Sequence, residues 1–269
     1  MPVKLAVIGG TGVYDPDIMS DIKDERVVTA YGQVDLKIGF YGRKEVAFLN
    51  RHGGGHTVPP HLVNYRANIA ALKKLGVKHV LATAAVGSLN PAMQPGHFIF
   101  VDQFLDFTKG RMQTFFDGGD SGVAHTDMTS PYCPELREIL FRAARSLGVT
   151  AHFTGTYVCT EGPRFETAAE IRMYRLLGGD LAGMTGVPEA VLAREAEMCY
   201  AAIAVVTNFA AGISPGRLAH QEVVEMMGKN GENIRKVVMQ AVDRVDEGRS
   251  CTCRYALDPL ALDNHNPEL

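Results

Sequence analysis

The sequence predicts an α/β fold, one domain built on a largely parallel or mixed sheet. Short Val/Ile/Leu/Ala runs alternate with helical segments that have recognisable ends. Several of those runs are unbroken, as in strands covered on both faces. No repeat, low-complexity linker or composition break divides the 269 residues, and an apolar content of 46% is ample for one core.

Strands are expected over residues 4–8, 34–40, 46–49, 79–84, 98–101, 151–159 and 201–207. A helix over 64–75 stops at Gly76, and one over 135–147 starts after Pro134 and stops at Gly148. A third, over 167–177, ends in Gly178-Gly179, and Pro188 opens a fourth that runs to about residue 197. The last, near 218–245, sets Val223, Met227, Ile234, Val238 and Val245 on one stripe. The domain is expected to span residues 1–250, with 251–269 a loosely ordered polar tail.

A formal charge of −3 without blocks of like charge argues against a nucleic-acid footprint or a polybasic membrane patch, so a small-molecule partner is expected. No stretch reaches membrane-spanning length, and the apolar start breaks into glycines too early for a signal sequence, so the expected location is cytoplasmic. The five cysteines show no zinc spacing. Cys133, Cys159 and Cys199 are expected in or near the core, and Cys251 and Cys253 as exposed thiols or a disulfide.

Loops after the strands carry the chemistry. Gly9-Gly10-Thr11-Gly12 lets backbone amides approach an anion and adds a hydroxyl, although alone it is equally a tight turn. It lacks the third glycine of a dinucleotide fingerprint, because that position is Asp15. Arg51 and His52, in a glycine-rich loop after a strand, can hold a dianion, the guanidinium bidentately. The segment 83–88 offers backbone amides to the same anion, and open α/β sheets bind ligands at such strand ends. Residues 160–167 and 183–189 look built for a purine. Glu189 itself reads as a first-turn helix carboxylate.

Residues 9–12, 51–53, 63–68, 161–167 and 183–189, in register, resemble the trimeric purine nucleoside phosphorylase and methylthioadenosine phosphorylase family, and the likeness runs from residue 5 to about 245. The resemblance implies a single-domain twisted mixed sheet flanked by helices and a homotrimer, with trimer or hexamer left open. It implies purine salvage by phosphorolysis of nucleosides with inorganic phosphate as co-substrate, and no metal or organic cofactor. It assigns Thr11, Arg51, His52, Ala84 and Ala85 (through its backbone), and Thr185 to phosphate, and Met184 to the ribose. Ala84 departs from the threonine or asparagine found there in the family. By the same likeness His125 reaches a neighbouring subunit's site.

The base and sugar contacts select the substrate. An ionised glutamate only accepts hydrogen bonds, which suits the N1–H of hypoxanthine or guanine and opposes the N1 lone pair of adenine. Glu166 and Asn208 both match the 6-oxopurine members, and His220 matches the histidine placed against a 5′-hydroxyl. Early motifs lean toward the methylthio branch, so S-methyl-5′-thioinosine or S-methyl-5′-thioadenosine stays open as substrate. A purine nucleoside-binding protein without turnover is the reading of another class.

Overall fold

The computed structural model describes residues 3–10, 19–214, 216, 218–246, 248 and 250–257. Its central strand is β5 (His79–Ser88), flanked in parallel by β1 (Leu5–Gly9) and β11 (Cys199–Phe209). Beyond β1 lie β4 (Lys44–Asn50), parallel to it, then β3 (Gly32–Tyr41) and the edge strand β2 (Ser20–Thr29), both antiparallel. Beyond β11 lie β6 (Phe98–Phe100) and β8 (Ala151–His152). A further arm of β10 (Leu181–Gly183), β9 (Thr156–Thr160) and β7 (Gln103–Phe107) joins the far end of β5. The sheet is therefore mixed, as expected.

Alternation along the inner strands builds two cores. Tyr200, Ala202, Ala204 and Val206 face the helices α1 (Tyr65–Leu75) and α4 (Gly186–Glu195). Cys199, Ala201, Ile203 and Val205 face α2 (Pro134–Ser146) and α5 (His220–Arg244). Helices on both faces explain why these strands read as unbroken apolar runs. Helix α3 (Ala168–Leu176) starts at a capping box between Thr167 and Glu170, and Asn64 caps α1.

Two expectations need correction. The run 151–159 is split, because β8 ends at His152 and β9 starts at Thr156 in a different part of the sheet. Residues 251–257 are not a loose tail: a short 3₁₀ turn (Thr252–Tyr255) buries Cys251 and Cys253 against the second core, Ala256 is buried as well, and residues 258–269 lie outside the described residues. No helix among the described residues is long and apolar enough to cross a membrane.

The fork of the sheet makes room for a site. On one edge of β5, pairing with β1 ends at Ala82 and pairing with β10 begins at Gly87. Residues 83–86 lie between these two partners, beside the turn that leaves β1.

Candidate active site

A cavity of about 370 Å³ opens at this fork, bounded by the loop after β4, the end of β5, the β10–α4 turn, the end of β11 and the start of α5. Of the residues expected at the site, it is lined by Arg51, His52, Ala84, Ala85, Glu166, Met184, Thr185, Asn208 and His220. Thr11 lies outside the described residues. His125 is an exposed loop residue and does not line the cavity of its own chain.

At the anion end, Arg51 is only 4% exposed. Its Nε and Nη2 donate to the two carboxylate oxygens of Glu189 at 2.6 and 2.7 Å, and Nη1 donates to the Thr83 carbonyl at 2.9 Å. The fork expected to grip an anion is thus closed on an internal carboxylate. Of five guanidinium hydrogens, one on each Nη is left for a ligand. Burial by itself would lower the Arg51 pKa, but the Glu189 charge and hydrogen bonds outweigh it and hold the guanidinium firmly protonated. Glu189, 0% exposed, also accepts from the Tyr200 hydroxyl at 2.7 Å. The first-turn reading of Glu189 missed this. A lone carboxylate at a helix start gives no sign of an arginine 138 positions away in sequence.

Gly10 fits this packing through its missing side chain: a Cβ there would stand 2.6 Å from the Thr83 carbonyl oxygen. Its N–H donates to the Thr83 hydroxyl at 3.0 Å, tying the first loop to β5. His52 Nδ1 lies 2.8 Å from the Val58 carbonyl. Since a carbonyl only accepts, Nδ1 carries the proton in that bond. Thr185 stands at the N-cap position of α4, its backbone N–H held by the buried Tyr157 hydroxyl at 3.2 Å.

At the other end, the Thr160 hydroxyl donates to one oxygen of Glu166 at 2.6 Å. Asn208 owes its position to a bulge. The register of β11 on β5 runs Val206↔Val86 and then Asn208↔Gly87, so Thr207 is the extra residue and Asn208 moves to the face that carries α5. Its amide is oriented, Nδ2 donating to the Phe209 carbonyl at 2.9 Å and Oδ1 lying 2.8 Å from the Thr207 hydroxyl. The second Nδ2 hydrogen remains for a ligand. His220, the first residue of α5, shares the cavity wall with Leu218 and Val223.

Sequence reasoning also missed Arg111. Its guanidinium, 2% exposed, donates to the carbonyls of Met184 and Val187 at 2.8 Å each and of Thr160 and Glu161 at 3.2 and 2.8 Å. It staples the two segments that look built for a purine. Gly162, with φ +65°, permits their close approach, since a Cβ there would meet Met184 Sδ at 2.6 Å. Because a buried polar group left without a partner costs about 1–3 kcal/mol, Arg111→Met, which strands several carbonyls, should lower unfolding free energy by at least about 3 kcal/mol. Denaturant titration checks this, and nucleoside KM should rise in the same variant.

The model of the phosphorylase superfamily matches residues 4–243. The chain is 59% identical over 260 residues to a probable 6-oxopurine nucleoside phosphorylase of Moorella thermoacetica, covering 97% of this chain and 100% of that one. It is 56% identical to the 6-oxopurine nucleoside phosphorylase of Pyrococcus furiosus, over 94% of this chain and 97% of that one. Among solved structures, the methylthioadenosine phosphorylase from Schistosoma mansoni in complex with adenine superposes with a TM-score of 0.90 at 36% identity, covering 97% of this chain and 98% of that one. Matched over most of its length by the family model and by these relatives, the chain belongs to the phosphorylase superfamily.

Proposed function

We propose that this protein is a purine nucleoside phosphorylase that cleaves 6-oxopurine nucleosides with inorganic phosphate, releasing hypoxanthine or guanine and a pentose 1-phosphate. The observation that carries the reading is the pairing of a carboxylate, Glu166, with an oriented amide donor, Asn208, in one cavity with the Arg51 anion end. An ionised Glu166 accepts from N1–H, and the second Nδ2 hydrogen of Asn208 reaches N7. Adenine would set its N1 lone pair against the carboxylate. The high identity to proteins named for 6-oxopurine nucleosides supports the same substrate class.

In the reaction, phosphate held by Arg51, His52, Thr185 and the amide of Ala85 attacks C1′. The C1′–N9 bond breaks with its electrons going to the base, which then takes a proton from water. Positive charge growing on the ribose meets the phosphate dianion. Negative charge growing on the base meets the Asn208 donor, which counts because the bond strengthens toward the transition state. His52, its ring oriented by the Val58 carbonyl, lines the same anion end. Ala84 adds no side-chain donor, so the amides of β5 take a larger share. No metal or organic cofactor is needed for these steps, and Met184 packs on the ribose. A homotrimer in which His125 contributes to the neighbour's site is part of the same reading.

A second reading concerns the 5′ end alone. Leu218 and Val223 stand beside His220 on the wall, so a 5′-methylthio group would find apolar company as well as the imidazole.

The test is a phosphate titration with inosine. Hypoxanthine should appear only with phosphate, in equal amount with ribose 1-phosphate; release without phosphate would make the protein a hydrolase, and binding without release a nucleoside-binding protein. Glu166→Gln should lower kcat/KM for inosine by roughly 10–100-fold, consistent with about 1.5–3 kcal/mol for a hydrogen bond to a charged group. Steady-state kinetics on inosine and adenosine would show it, with adenosine losing much less.

A further inference from the structure

The cysteines give a result that their spacing concealed. Cys133 stands at the N-cap of α2, Cys199 is the first residue of β11, and Cys251 and Cys253 flank the start of the 3₁₀ turn after α5. Their four Sγ atoms all lie within 4.8 Å of one another, and the residues are 1%, 1%, 7% and 2% exposed. We propose that Cys133, Cys199, Cys251 and Cys253 form a closed tetrathiolate site for a soft divalent metal ion of the zinc type.

Four thiolates around zinc at about 2.3 Å stand roughly 3.8 Å from each other, the edge of a tetrahedron, and the cluster is of that size. Mutual proximity of all four sulfurs suits a shared centre that each can reach. Cys199 and Cys251 lie 3.2 Å apart, well beyond an S–S bond of about 2.05 Å, and all four cysteines are free thiols here. All-sulfur tetrahedral donor sets select zinc or iron among the common metals. Two ligands from one short turn and two from the core would fasten the C-terminal segment to the base of the sheet.

The site is structural rather than catalytic. Four protein ligands leave no open position. Cys199 and Asn208 are nine residues apart along β11, which at roughly 3.3 Å per residue sets the cluster about 30 Å from the base end of the cavity.

The experiment uses the full chain purified under argon without chelator. Elemental analysis should give about one zinc ion per chain. Cobalt(II) added to the reduced, metal-stripped protein should give the intense visible bands of a tetrahedral thiolate centre. The double variant Cys251→Ser/Cys253→Ser should lose both the metal and several degrees of melting temperature while keeping inosine cleavage in the cold. Should that variant fail to fold, metal content and the cobalt spectrum of the native chain decide. The proposal is overturned if the denatured, unreduced chain weighs two or four hydrogens less than the sequence mass and holds no metal, or if the reduced chain takes up neither zinc nor cobalt.

Discussion

Replacing Asn208 with alanine is expected to lower kcat on inosine by about 10²–10³-fold, the cost of one donor aimed at charge that develops in the transition state. KM should change little, because the contact to N7 is weak while the base is still bonded to the sugar. The fold should persist, since the Asn208 side chain, among the described residues, bonds to its neighbours Thr207 and Phe209 and the pairing of β11 with β5 runs through the backbone. Single-turnover measurement of base release, with a melting curve alongside, separates the two effects. Near-normal release would remove Asn208 from the mechanism.

Glu189→Gln should have the largest effect on stability. Arg51 and Glu189 are 4% and 0% exposed, and breaking such a pair leaves a buried charge uncompensated, at a cost of about 3–5 kcal/mol. For a chain of this length, roughly 2–4 °C of melting temperature is lost per kcal/mol, so a fall on the order of 10 °C is expected. Phosphate should restore more of that loss in the variant than in the native protein, because a bound dianion supplies the charge that Glu189 provided and stabilises by mass action. The phosphate KM should also shift, as Glu189 sets the orientation of Arg51 through its bidentate bond. A variant that melts like the native protein, with or without phosphate, would show the pair to be dispensable.

What was legible in the sequence was whatever local chemistry controls. The apolar runs of β1, β4, β5 and β11 are readable because helices cover both faces, and the ends of α1 and α2 because Gly76 and Pro134 act within a turn. Strand β2 was missed because it is a polar, mostly exposed edge whose hairpin with β3 is laced by Arg26–Asp35 and Lys37–Asp24 pairs rather than by burial. Strand β10 is three residues long and exists only through its neighbours. The candidate site divides the same way. Arg51 and His52 sit in a loop whose composition announces an anion, Thr185 is assigned to phosphate by the family resemblance, and all three line the cavity. The bulge at Thr207, the Glu189 and Arg111 bonds and the four-sulfur cluster join positions between which sequence carries no periodic signal.

The central claim is that the cavity is built for a 6-oxopurine nucleoside, and the most direct measurement is kcat/KM for inosine, guanosine, adenosine and 5′-methylthioadenosine at saturating phosphate. The account predicts inosine or guanosine above both adenine nucleosides by a factor of at least about 10², the discrimination given by about 2.7 kcal/mol when a lone pair faces a carboxylate in place of an N–H. Adenosine or its methylthio analogue cleaved as well as inosine would contradict it, because an ionised Glu166 could not then be the group that reads N1.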